Sequence, residues 1–203
     1  MEKTDLRTEN RDLYSPRTGQ FALVTVPRFD FLMIDGYGDP NTSESYVQAL
    51  EALYALSYGA KFASKAQLGR DYVVLPLEGL WRAESPEAFL EGRKNEWSWT
   101  MMIRQPSWLT ADVWDAARAA AATKQLPALD AVRLESFEEG PCAQVLYLGP
   151  YSDEGPTITA LHEWIAAHGR SLRGDHHEIY LGDPRRSAPE KLRTIIRQPV
   201  SAA

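Results

Sequence analysis

Glu178 and Tyr180 are the side chains best suited to handling protons, and they stand two apart in the run Asp175-His176-His177-Glu178-Ile179-Tyr180-Leu181-Gly182-Asp183-Pro184. This β-branched and aromatic stretch, bounded by Gly174 and by Gly182-Asp183-Pro184, predicts a short strand. Alternation puts Glu178 and Tyr180 on one face and Ile179 and Leu181 on the other. The plain alternative is a solvated Glu on an edge strand. If helices cover one face and a cleft lies on the other, Glu178 meets a ligand, either as counter-ion to a cation or as a base that activates water. The Tyr180 hydroxyl then orients a ligand carbonyl or donates a proton.

Trp81, Trp97 and Trp99 lie close together in the chain, and Met101 shares the strand face of Trp97 and Trp99. Each indole offers about 150–250 Å² and a flat face that stacks on planar or cationic molecules. Aromatic groups of this kind more often fill a core, but three that accompany a carboxylate strand favour a ligand wall. A carboxylate beside such rings loses water, which predicts a raised pKa for Glu178.

Other constellations carry less. His162-Glu163-Trp164-Ile165-Ala166 lacks the second His of a zinc-protease helix, since Ala166 holds that place and His168 is out of register. His176, His177 and Glu178 alternate faces along a strand, which argues against a metal. Gly36 and Gly38 do not extend to a dinucleotide fingerprint, and a turn explains them. Cys142, beside Gly140 and Pro141, reads as a small packed residue rather than a nucleophile. Arg185-Arg186 reads as a solvated turn. No metal and no cofactor is therefore expected.

These residues need elements to hold them. Residues 1–19 are polar, mixed in charge and end in Ser15-Pro16-Arg17-Thr18-Gly19, which predicts an arm that is flexible or wraps the surface. Phe21 to Val26 and Arg28 to Ile34 read as two strands, the second stopped by the turn Asp35-Gly36-Tyr37-Gly38-Asp39-Pro40. A helix capped by Asn41, Thr42 or Ser43 carries Ala49, Leu50, Leu53 and Leu56 at helical spacing and fades at Gly59. Strands are expected at Asp71 to Leu77 and Glu96 to Arg104, with a helical piece around Pro86 to Asn95. Thr110 and Asp112 open a connector helix of about 110–125. Strands near Val132 to Phe137 and Ala143 to Leu148 follow, then a helix from Pro156 to Gly169 with Leu161, Trp164 and Ile165 as its stripe. The Glu178 strand and a last strand over Leu192 to Arg197 close the chain.

The 203 residues suffice to bury a core without staples, and 44% hydrophobic with 25% charged residues is the composition of a globular chain. No apolar run spans a membrane, and Met1-Glu2-Lys3-Thr4-Asp5 carries no secretory signal. One cysteine fits a reducing cytoplasm. A net charge of -6 argues against a nucleic-acid surface and suits a neutral or cationic partner. The oligomeric state is not legible.

Ile103-Arg104-Gln105-Pro106 and Ile196-Arg197-Gln198-Pro199 are identical, and each ends a similar series of elements. We read an internal duplication, with copy one at about 20–107 and copy two at about 130–199, in which Asp71 to Leu77 corresponds to His176 to Leu181. The expected class is α+β, with a ligand cleft between the copies.

The chain resembles the GyrI-like small-molecule-binding proteins, related to the effector-binding domains of the regulators BmrR and Rob. The resemblance rests on Phe31-Leu32-Met33-Ile34-Asp35-Gly36-Tyr37-Gly38-Asp39-Pro40-Asn41, Ala52-Leu53-Tyr54-Ala55-Leu56-Ser57-Tyr58, Pro76-Leu77-Glu78-Gly79-Leu80-Trp81, Glu96-Trp97-Ser98-Trp99-Thr100-Met101-Met102-Ile103 and His176-His177-Glu178-Ile179-Tyr180-Leu181. It covers most of residues 20–199 and is closest to the long, stand-alone branch. It implies tandem β-α-β-β units with pseudo-twofold symmetry, an aromatic cleft and a central Glu at Glu178. Trp81, Trp97, Trp99, Tyr147 and Tyr180 become wall candidates, with Tyr37 and Met101 completing the lining. Where the family often has a second Trp this chain has Arg82, which implies a corner that is more polar or more open. The resemblance also implies function: binding of planar or cationic xenobiotics and, in part of the family, opening of cyclopropane rings in DNA-alkylating compounds. Gyrase modulation is a further family role, for which no partner surface is visible in this chain.

Overall fold

In a computed structural model, residues 3–83 and 92–201 are described, and the contacts divide the chain into two compact units. The first contains Met1–Leu6, Phe29–Leu75 and Trp81–Phe137; the second contains Arg7–Arg28, Pro76–Leu80 and Glu138–Ala203. Helices and strands alternate in an α+β chain.

In the first unit, β1 (Lys3–Thr4) pairs in parallel with β3 (Asp71–Tyr72). The C-terminal half of β2 (Ala22–Tyr37) runs antiparallel to β5 (Trp97–Gln105), from Asp30 opposite Gln105 to Tyr37 opposite Ser98. Helix α3 (Glu44–Gln67) starts where the Ser43 hydroxyl accepts from the Tyr46 N–H at 3.4 Å, which selects one of three possible caps. It does not fade at Gly59. A Cβ there would sit 3.2 Å from the Ala117 backbone, so the glycine lets α3 lie close against α4 (Ala111–Ala122). Val113, Ala117 and Ala60 fill that contact, and Lys61 reaches from α3 to the Asp71 carboxylate and the Tyr72 carbonyl. Thr110 precedes α4 in extended conformation but makes no side-chain cap bond.

In the second unit, β8 (Arg193–Pro199) lies between β6 (Arg133–Leu148) and β7 (His176–Tyr180), antiparallel to both. Leu161 and Ile165 of α5 (Gly155–Ala167) pack on Ala143, Val145, Ile196 and Val200. Residues 1–19, expected as an arm that is flexible or wraps the surface, contain the short helices α1 (Leu6–Glu9) and α2 (Arg11–Tyr14), with Leu6, Leu13 and Tyr14 buried.

Two pairs of expected strands are in fact single strands of 16 residues, since neither Pro27 nor Gly140, at φ 75°, ends the run. The strand expected over 71–77 is only two residues long. Leu77–Ala83 forms β4, so the strand after α3 that stands where β7 stands after α5 is β4. The expected helix over 86–95 lies mostly outside the described residues, and Lys94–Glu96 is a single 3₁₀ turn. Among the described residues no helix is long and apolar enough to cross a membrane.

Candidate functional site

Strand pairing in the second unit builds the site row by row. Val145, Ile196 and Glu178 are directly opposed across β6, β8 and β7, and the next row is Tyr147, Thr194 and Tyr180. Opposed residues share a face, so Glu178 and Tyr180 stand on the side packed by α5, together with Tyr147. Sequence alternation had put Glu178 and Tyr180 together; the register adds Tyr147, which sits half-buried against the α5 core and donates from its hydroxyl to the Pro150 carbonyl at 3.1 Å. Tyr151 meets the Tyr180 ring edge-to-face at 5.4 Å.

Glu178 is not solvated: 14% of its side chain is exposed. The Tyr180 hydroxyl donates to its Oε2 at 2.7 Å and His176 Nε2 lies 3.1 Å from its Oε1. Burial by itself disfavours the charged carboxylate. The His176 and Tyr180 hydrogen bonds and the charges of His176 and His177 outweigh it, and they hold the Glu178 pKa below the ordinary value. The expectation of a raised pKa is therefore corrected: desolvation acts as foreseen, but two donors, one on each oxygen, reverse its sign. Such a group can hold a cation or take a proton from water, and it is ionised at neutral pH.

The tryptophans gather in the first unit. Trp99 is 1% exposed and Met101 fully buried, so both are core rather than open wall. The Trp99 ring lies across Gly36, where a Cβ would come within 2.0 Å of the indole, and Tyr46 of α3 meets it edge-to-face at 5.2 Å. Tyr46 also lies near parallel to Trp81, and Trp81 meets Trp97 at 5.7 Å. Trp97, half-buried and with Lys94 over its ring, is the most open of the three. Tyr37, opposite Ser98, is 53% exposed. Arg82 does not stand at a corner of this group. It donates to the Thr100 hydroxyl at 2.9 Å, on the β5 face opposite Trp99 and Met101. Thr100 in turn donates to Asp35, which also pairs with Arg133 at 2.8 Å.

Behind β7 lies a set of residues that sequence reasoning missed. His177 places Nδ1 2.9 Å from Glu139 and Nε2 3.0 Å from Glu78, so both ring nitrogens donate and the ring is a cation. Arg197 reaches Glu139, Gln144 Oε1 and the Leu13 carbonyl, while the Tyr14 hydroxyl donates to Glu78. Two carboxylates thus face two cations with almost no exposure. The one legible signal was the Arg of each Ile-Arg-Gln-Pro ending, a charge amid buried strand positions. Elsewhere in this unit a surface recess of about 440 Å³ is lined by Asp12, Leu23, Val24, Thr25, Pro141, Cys142 and Arg170, and holds none of the expected site residues.

A family model described as the GyrI-like small molecule binding domain matches residues 19–201. Among solved structures, an uncharacterized conserved protein from Listeria innocua shares 39% identity with a TM-score of 0.89, the match covering 98% of this chain and 100% of that one. A hydrolase from Listeria innocua shares 36% identity with a TM-score of 0.84 over the same shares of both chains. The EcmrR C-terminal domain, at 14% identity and a TM-score of 0.57 over 91% of this chain and 98% of that one, shares the fold. Comparison with curated proteins finds no match.

Proposed function

This chain belongs to the GyrI-like small-molecule-binding family, and from that premise we propose that it takes up planar aromatic or cationic molecules and hydrolyses those carrying a strained, cyclopropane-type electrophile. One observation carries the reading: Glu178 is a largely buried, ionised carboxylate whose two oxygens each meet a donor, His176 and Tyr180, among tyrosine rings. The similarity to a Listeria hydrolase over nearly the whole chain supports it. In the proposed step Glu178 removes a proton from water as the water oxygen bonds to a ring carbon. The cyclopropane carbon–carbon bond breaks, its electron pair moves onto the conjugated carbonyl oxygen of the substrate, and a proton delivered there, from Tyr180 or solvent, completes net addition of water. Trp97 is proposed as stacking surface for flat ligands; Trp81, expected as wall, is only 6% exposed and packs against Trp97 as core. We also read the repeated order of long strand, helix, strand and strand, with its paired Ile-Arg-Gln-Pro endings, as a duplicated unit.

The lowered pKa of Glu178 favours a second reading, a fixed counter-ion in a protein that sequesters flat cations without turnover. Glu178→Gln separates the two, because it keeps shape and removes both charge and basicity. With a cyclopropane-containing alkylator followed by mass spectrometry, water addition should fall by about 10²- to 10⁴-fold while binding, read from tryptophan fluorescence, persists. Retained hydrolysis in the variant removes the base role. No hydrolysis by the wild type, with loss of cationic ligands alone in the variant, leaves the counter-ion.

A further inference from the structure

Thr194 occupies the centre of the row formed by Tyr147, Thr194 and Tyr180, and it lies diagonally next to Glu178 in the β7–β8 ladder. It is fully buried, and its Oγ1 has no hydrogen-bond partner among the described residues. A hydroxyl in that condition is costly, and strand interiors ordinarily supply Val or Ile at such a position, as Ile196 shows one row away. The residues flanking it on its own face are polar: Tyr147 and Tyr180 stand directly opposite it on β6 and β7, and Glu178, which accepts from the Tyr180 hydroxyl, is its diagonal neighbour. Diagonal neighbours across a ladder stand about 7–8 Å apart, somewhat less between Cβ atoms, too far for a direct bond between short side chains and right for one bridging oxygen. A buried water needs two to four polar partners, which this face provides.

We propose that Thr194 is a water-holding residue: its hydroxyl and the Glu178 carboxylate together bind one oxygen, the water that attacks the strained ring. This rests on the hydrolytic reading above, and it adds the group that fixes where the nucleophile stands. Glu178 then takes the proton of a water already placed, and Thr194 accepts or donates the second hydrogen bond.

Two changes test it. Thr194→Val removes the hydroxyl and keeps the shape; Thr194→Ser keeps the hydroxyl. In a crystal structure of the wild type, an ordered water is expected within hydrogen-bond distance of both Thr194 Oγ1 and Glu178, kept in the Ser variant and lost in the Val variant. The rate of water addition should drop at least ten-fold in Thr194→Val and recover in Thr194→Ser, with ligand affinity unchanged in both. A wild-type structure without that water overturns the proposal, as does a Val variant that turns over normally. A wild type that holds the water yet does not hydrolyse the cyclopropane-containing alkylator supports the water site and sinks the hydrolytic reading instead.

Discussion

Glu178 illustrates how far one residue can be read before its neighbours are known. Alternation places it with Tyr180, and the structure keeps them together; its ionisation needed the side chains of the same strand, because the donors on its two oxygens are its i−2 and i+2 neighbours, His176 and Tyr180. A general rule about aromatics and burial pointed to a raised pKa, whereas two local hydrogen bonds reverse it. Tyr180→Phe isolates one of those bonds without emptying the site. Loss of that donor moves the Glu178 pKa up from its lowered value toward the ordinary 4.5. If Glu178 is the counter-ion proposed above, a flat cation needs the ionised carboxylate, so binding should be present above that pKa and weaken as pH falls through it. The acid midpoint of binding in Tyr180→Phe should therefore lie at higher pH than in the wild type. A fluorescence titration of one such cation across acid pH reads it directly, and identical midpoints would show that the phenol contributes nothing to the charge of Glu178.

At the scale of elements, periodicity found β5, α4, α5 and β7 to within a few residues of their observed bounds, but it stopped α3 at Gly59, short of Gln67, and cut β2 and β6 in two. Turn chemistry misled at Gly36, which is not in a turn. It sits within β2 opposite Trp99, and the missing side chain is the space the indole fills. The same fact explains why the tryptophan wall was only half legible. Sequence gives the face that Trp97, Trp99 and Met101 share, yet which of them stays open depends on Gly36 and Tyr46, distant in the chain. Gly36→Ala should cost about 1–3 kcal/mol of unfolding free energy, because a methyl 2.0 Å from a fully buried indole displaces it. The urea midpoint measures this, and the tryptophan emission of the folded variant should shift to the red as Trp99 is pushed toward solvent. A variant with wild-type midpoint and emission would mean that the ring yields without cost.

For the molecule as a whole, stability against pH is governed by the buried charges behind β7, which join segments that no local pattern connects: Glu78, Glu139, His177 and Arg197, with Leu13 and Tyr14 of the N-terminal segment attached. Apart from Arg197, the network was illegible because each member looks like an ordinary strand or surface residue until the chain brings it together. Burial alone would neutralise His177, but the charges and acceptor oxygens of Glu139 and Glu78 raise its pKa to about 9 from the ordinary 6.5. Burial likewise opposes ionisation of Glu139, while His177 and Arg197 bring its pKa down to about 2 from 4.5. A raised cation stabilises fully below its unfolded value and loses that contribution as pH climbs through 6.5 toward 9; a depressed carboxylate stabilises above 4.5 and loses it as pH falls toward 2. The urea midpoint should thus be highest between 4.5 and 6.5 and fall on both sides. His177→Gln leaves Glu78 and Glu139 facing each other without the cation, which should cost about 3–5 kcal/mol at neutral pH. It should also flatten the alkaline limb, because the group that titrates there is gone. A wild-type midpoint that stays level from neutral pH to about pH 9.5 would mean that His177 is neutral in the folded chain.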